Sequence, residues 1–144
     1  MMTVSRILDR KGFRIFTIRE DASLQGIIRE LAAHHIGVLV VTNAEGVIAG
    51  MVSERDVIRE LARPETARGR TAGEIMTRTV SKCMPEDSES DVMERMAKAG
   101  VRHLPVEHHG KLVGLISARD ILHLRIEKLD DLMKEIRAEA AKHL

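Results

Sequence analysis

The chain states one pattern twice: Ile48-Ala-Gly50-Met-Val-Ser53-Glu-Arg55-Asp56-Val-Ile58 returns as Leu112-Val-Gly114-Leu-Ile-Ser117-Ala-Arg119-Asp120-Ile-Leu122, displaced by 64 positions (114 − 50 = 64). Burial alone would preserve only the apolar pattern. Repetition of Gly, Ser, Arg and Asp at the same spacing therefore points to a site. Halves of about sixty residues bury too little surface to stand alone, so the repeats are expected to pack as one pseudo-symmetric unit.

Each copy reads as strand, helix, strand, strand, helix. In the first, Phe16-Thr-Ile18 is a short strand, and Leu24, Ile27, Ile28 and Leu31 follow the i, i+3, i+4, i+7 spacing of an amphipathic helix that starts at Ser23 and frays at His34-His35. Val38–Val41 and Val47–Val52 form buried strands joined by the turn Asn43–Gly46, and a helix covers Glu54–Ala62. The second copy repeats the order with Thr79-Val-Ser81, a helix bearing Val92, Met93, Met96 and Ala97, the strand His103–Val106 and the turn Glu107–Gly110. The expected organisation is a first repeat over 1–66 with a short N-terminal helix, a linker and lead-in helix over 67–78, a second repeat over 79–126 and a helical extension over 127–144. Thr71-Ala-Gly-Glu74 has the spacing of a capping box for that lead-in helix.

Composition narrows the function. Charged residues are 31% of the chain yet cancel to +1, so no basic field exists to attract nucleic acid or an anionic membrane. Phe13 and Phe16, the only aromatics, give no stacking platform for bases. A lone Cys83 fits a reducing compartment. The amino terminus alternates charge with short apolar pieces, unlike a signal peptide, so the expected location is cytoplasmic.

Ser53 and Ser117 stand where a buried strand becomes a helix, with Asp56 and Asp120 three places on. One reading is a capping box, hydroxyl and carboxylate each satisfying a free backbone N–H. The other is a site: the carboxylate accepts from both ribose hydroxyls, while Arg55 and Arg119, in a turn where the helix dipole disfavours cations by about 0.3–1 kcal/mol, accompany a bound phosphate. Gly50 and Gly114 allow close approach by either a flat base or a neighbouring segment of chain.

These stretches, with Val101-Arg-His-Leu-Pro-Val106 and Glu74-Ile-Met-Thr77, make the chain resemble the tandem cystathionine-β-synthase (CBS) domain pair, or Bateman module, in its stand-alone bacterial form. The resemblance covers about Val4 to Leu124 and implies a mixed α/β fold: two β-α-β-β-α repeats packed sheet to sheet, followed by the extended C-terminal helix. It implies a regulatory module, not an enzyme, with no catalytic residues and no required cofactor. Its ligands would be adenosine compounds such as AMP, ADP, ATP, NAD or S-adenosylmethionine, bound in clefts between the repeats. Carried over, Asp56 and Asp120 hold riboses; Ser53, Arg55, Ser117, Arg119, Arg102 and His103 face phosphates; the backbone of Ile36, Gly37, Val38 and Val101 edges the adenine. Arg102 and His103 have no counterpart in Ile36-Gly-Val-Leu-Val40, so the Asp120 cleft is expected to take the more phosphorylated ligand.

His34-His35 and His108-His109 lack ligand spacing and read as turn and helix-end residues, which gives no metal site. Cys83 reads as packing. Met51, Met76, Met84, Met93, Met96 and Met133 suggest an adaptable core. Leu122, Ile126, Leu129, Met133, Ile136 and Ala140 alternate spacings of four and three, a short coiled-coil seam that meets either its own module or a second subunit. The expectation is a homodimer acting on a target protein, with no nucleic acid and no membrane. The competing reading is a homodimeric scaffold without ligand.

Overall fold

The computed structural model describes residues 2–78 and 81–143. The elements are α1 (Val4–Lys11), β1 (Thr17–Arg19), α2 (Leu24–His34), β2 (Val38–Thr42), β3 (Ile48–Ser53), α3 (Glu54–Leu61), α4 (Ala72–Ile75), α5 (Glu89–Ala99), β4 (His103–His108), β5 (Lys111–Ser117) and α6 (Ala118–Ala141), with a 3₁₀ turn at Glu65–Ala67. In the first repeat β1 runs parallel to β2, which pairs antiparallel with β3. β4 and β5 form the second sheet, to which Cys83 adds a single parallel bridge with Val106 where the first repeat has β1. Of the strand expected at Thr79–Ser81, Thr79 and Val80 lie outside the described residues and Ser81 is irregular chain.

Local chemistry sets the boundaries. Ser23 and Ser88 cap α2 and α5 through hydroxyls that accept from Gly26 N and Asp91 N. Those helices end on left-handed residues, His35 (φ 53°) and Gly100 (φ 67°). Asn43 Oδ1 accepts from the backbone N–H of Glu45 and Val47 at 2.9 and 3.0 Å, which closes the first hairpin. β4 runs two residues further than expected, to His108, because His109 and Gly110 both take positive φ (51° and 78°) and so turn the chain in two residues. Both hairpins slip register at equivalent points, Val41/Thr42 and Val106/Glu107.

Each sheet buries one face beneath its own helices: Leu39, Val41 and Val52 with Ile27 and Leu31, and Leu104, Val106 and Ile116 with Val92 and Met96. Val38, Val40 and Met51, on the alternate face of the first sheet, are buried too. Met51, Met76 and Met96 lie in the interior, whereas Met84 and Met133 are exposed, so the methionine core is smaller than the sequence suggests.

The lead-in helices are exchanged. α1, which precedes the first repeat, supplies Val4, Ile7 and Leu8 to the core of the second; α4, which precedes the second, sits with Ala72 and Met76 in the core of the first. The same hydrogen bonds dock both: Val4 N to Asp87 O (2.9 Å) and Ser5 N to Pro85 O (2.8 Å) in one case, Ala72 N to Ala22 O (2.9 Å) and Gly73 N to Glu20 O (2.8 Å) in the other. Sequence limits of the repeats and limits of the cores therefore differ. Arg70 adds a clasp on the linker, donating from Nε and Nη2 to Oε2 of the fully buried Glu60 at 3.0 and 2.8 Å. This bonding holds the Glu60 carboxyl below its usual range although burial opposes it.

The two motif glycines make the exchange possible. A methyl on Gly50 would meet Thr77 O at 2.6 Å and Met76 Sδ at 2.7 Å; one on Gly114 would meet Leu8 Cδ1 at 2.8 Å. The alternative left open by the sequence is thereby decided for chain packing, since the space belongs to the lead-in segments. Gly50→Ala presses on a backbone carbonyl and Gly114→Ala on a side-chain tip. Both variants are expected to lose about 1–3 kcal/mol in denaturant unfolding, with Gly50→Ala the larger loss. Equal stability of both variants with wild type would contradict this packing.

Candidate functional site

β3 runs into α3 at Ser53 and β5 into α6 at Ser117, and both junctions are complete capping boxes. Asp56 Oδ2 accepts from Ser53 N at 2.8 Å and Ser53 Oγ at 3.1 Å, and Asp56 N donates to Ser53 Oγ at 3.4 Å. Asp120 Oδ2 accepts from Ser117 N at 2.9 Å, and Asp120 N donates to Ser117 Oγ at 3.0 Å. The plain reading of Ser-x-x-Asp is thus realised, and both serine hydroxyls serve the backbone. Capping engages one carboxylate oxygen and fixes its direction. At Asp120 no hydrogen bond reaches Oδ1 among the described residues, and at Asp56 the exposed Arg59 lies 3.7 Å from Oδ1, a weak pairing.

The residues just before β2 and β4 are tied to these same helix starts. Glu54 N donates to Gly37 O (3.0 Å) and Ala118 N to Arg102 O (2.9 Å). Ile36 N and Val101 N close the ends of α2 and α5 on Leu31 O (3.1 Å) and Met96 O (3.0 Å). The Ile36 and Val101 side chains pack on the two cores and Val38 is buried in β2, so these positions can offer an adenine only backbone edges. Each carboxylate and its backbone edge are therefore brought together by a shared junction.

Arg55, Arg102 and Arg119 are exposed and His103 is half-buried. The dipole cost of Arg55 and Arg119 is offset within the same turn by Glu54 and Asp56, and by Asp120. Their placement alone does not require an anion.

Electrostatically the junctions differ in ways the repeat conceals. The first has Glu54, whose Oε1 would lie 3.4 Å from a methyl on Gly37, where the second has Ala118 and Arg102. The second also gains Lys11 from the end of α1, whose Nζ donates to Asp120 Oδ2 at 2.6 Å and to Leu115 O at 2.9 Å. Burial pushes the Asp120 carboxyl upward, but the Lys11 ammonium and the Ser117 N–H outweigh it and hold the carboxyl below its usual range. Burial holds the His103 imidazole below its usual range, with Lys11 and Arg102 assisting against Asp120.

The remaining candidates behave as simple structural parts. His35 and His109 occupy left-handed turn positions, and His34 stacks on Phe16 at 3.8 Å and pairs with Glu30. No group of metal-ligating side chains occurs among the described residues. Cys83 is buried, its thiol pushed up to about 12 mainly by burial. A cavity of about 510 Å³ lies between the two hairpin turns, lined by Thr42, Gly46, Gly110 and Lys111 among others; none of the expected site residues line it.

The lowered carboxyl of Asp120 has a thermodynamic sign. A group depressed by folding contributes stability above its unfolded value, and loses it as pH falls through the folded one. Melts of wild type and Asp120→Asn should therefore differ most above about pH 4, near the ordinary value of 3.8, and converge towards pH 2. A gap that stays constant with pH would mean that Lys11 does not stabilise the ionised carboxylate.

Comparison with known proteins now bears on this arrangement. The CBS domain family matches residues 4–63 and 72–127. An uncharacterised 17.7 kDa protein of Acidianus ambivalens is 28% identical over 110 residues, which cover 75% of this chain and 65% of the relative; in two further curated relatives the chain spans 39% and 22% of the length. The crystal structure of the CBS-domain containing protein ATU1752 from Agrobacterium tumefaciens superimposes with a TM-score of 0.80 at 35% identity, covering 85% of this chain and 92% of that one. The CBS domain pair of protein MJ0100, in complex with 5′-methylthioadenosine and S-adenosyl-L-methionine, gives 0.77 at 25% identity, covering 89% and 98%. With two matched repeats and the fold of such pairs, this chain belongs to the CBS-domain family as a tandem CBS pair.

Proposed function

We propose that this CBS pair is a non-catalytic sensor that binds an adenosine nucleotide (AMP, ADP, ATP, NAD or S-adenosylmethionine) in the Asp56 or Asp120 cleft, without a further cofactor. The observation that carries the reading is the unfinished carboxylate at each junction. Capping holds Oδ2 and leaves Oδ1 without a hydrogen bond among the described residues, and a backbone edge is tied to the same helix start. A vicinal diol supplies the two donors such a carboxylate accepts, with hydrogen bonds to the charged group worth about 1.5–3 kcal/mol each. A related pair in complex with 5′-methylthioadenosine and S-adenosyl-L-methionine supports the ligand class.

Charge separates the clefts. Glu54 makes the first less hospitable to phosphate, whereas Arg102 and Arg119 make the second the site for the more phosphorylated ligand. Binding that favours one packing of the repeats over another would alter the surface offered to a target protein. No helix among the described residues is long and apolar enough to cross a membrane. We place the protein in the cytoplasm, a compartment in keeping with its free Cys83.

α6 is one helix of 24 residues that buries only Ile121 and Leu124. Leu122, Ile126, Leu129, Met133 and Ile136 stay exposed, so the seam is not covered by its own chain. A second subunit covering it yields the homodimer. The complete capping boxes and this exposed seam also favour the second reading, a dimeric scaffold without ligand.

Thermal melts of dialysed protein with AMP, ATP, NAD or S-adenosylmethionine separate the two. A bound ligand at 100 times its Kd adds about 2.7 kcal/mol, whereas a scaffold melts unchanged with all four. The midpoint should also rise with protein concentration if α6 pairs with a second copy; independence from concentration would remove the dimer.

A further inference from the structure

We propose that Lys11, which lies outside both repeated motifs, is a specificity-determining residue of the Asp120 cleft: it selects a phosphorylated nucleoside over the nucleoside itself. The inference rests on the nucleotide-binding reading and adds to it a residue and a direction of selection.

Lys11 is not a loose surface lysine. It is the last residue of α1, its Nζ is fixed on Asp120 Oδ2 (2.6 Å) and Leu115 O (2.9 Å), and its side chain is 32% exposed. The helix that carries it is anchored by Val4, Ile7 and Leu8 in the second core. An ammonium has three donors, so two fixed bonds leave one for a ligand. Beside it stands the half-buried imidazole of His103, on which Lys11, Asp120 and Arg102 all act. Lys11 and Arg102 against Asp120 leave this group of charges with a net excess of positive charge.

Two consequences follow for a ligand. A neutral nucleoside reaching for Asp120 meets a carboxylate whose charge is already paired with an ammonium, so its hydroxyls compete with Lys11 for that charge. A nucleoside phosphate brings a second anion to which the flexible lysine stem can turn, freeing the carboxylate for the diol. Lys11 therefore weakens nucleoside binding and strengthens nucleotide binding. Among the described residues no lysine reaches the carboxylate of the first cleft: Asp56 pairs with Arg59 at 3.7 Å, and Glu54 adds a further negative charge.

The test is calorimetric titration of the full chain, as wild type, Lys11→Met and Lys11→Arg, with adenosine and with AMP. Binding at the second cleft is identified as the part abolished in Asp120→Asn. In Lys11→Met adenosine should bind more tightly and AMP more weakly, the AMP-to-adenosine preference falling about tenfold or more. Lys11→Arg should keep the wild-type preference, and circular dichroism should show native helix content in both variants. A preference unchanged in Lys11→Met, or both affinities falling together, overturns the role of Lys11 while leaving nucleotide binding intact. Wild type that binds neither compound overturns this inference, whereas the nucleotide reading itself falls only if none of AMP, ATP, NAD and S-adenosylmethionine binds.

Discussion

The contact on which the molecule depends is the seating of each lead-in segment against the glycine of the opposite repeat's motif. Leu8 lies against Gly114, and Met76 with Thr77 O against Gly50, at distances that leave no room for a methyl group. Because each segment precedes one repeat in sequence and fills the core of the other, neither half is complete alone. The exchange turns two small sheets into one cooperative body without a large core in either half. It also sets the length of α1: eight residues place Lys11 on Asp120, whereas the four-residue α4 ends at Ile75 and passes into extended chain at Met76.

The proposed site is a by-product of the same economy of parts. Each buried strand ends at a serine, and the helix that follows is capped by the aspartate three residues later. Capping therefore does not preclude binding at these carboxylates: one oxygen holds the helix start, and among the described residues the other accepts no hydrogen bond. The backbone that would edge an adenine is tied to the same helix starts through Gly37 O and Arg102 O. A ligand engaging both would read the position of a strand relative to a helix of the same repeat.

Much of this was legible in the sequence because it is local. The repeat, the helices over Leu24–His34 and Glu89–Ala99, the capping boxes at Ser53, Thr71 and Ser117 and the turn at Asn43–Gly46 are all set by residues within a few positions of one another. What escaped is non-local. Nothing near Val4 or Leu8 states that they belong to the second core, and nothing near Lys11 names Asp120, which is 109 positions away. Glu54 against Ala118 was visible inside the motif, yet its meaning depended on Gly37 lying beneath it. The parallel bridge of Cys83 to Val106 likewise reflects tertiary placement, which propensity does not encode.

The most direct measurement is a crystal structure of the protein grown with excess AMP. The account predicts nucleotide with its ribose hydroxyls on Asp120 or Asp56, the Ser117 or Ser53 capping bond intact and the adenine against the backbone of Val101-Arg102 or Ile36-Gly37. Nucleotide bound elsewhere, such as between the hairpin turns, or two junctions whose carboxylates contact only their own chain at saturating AMP, would contradict it.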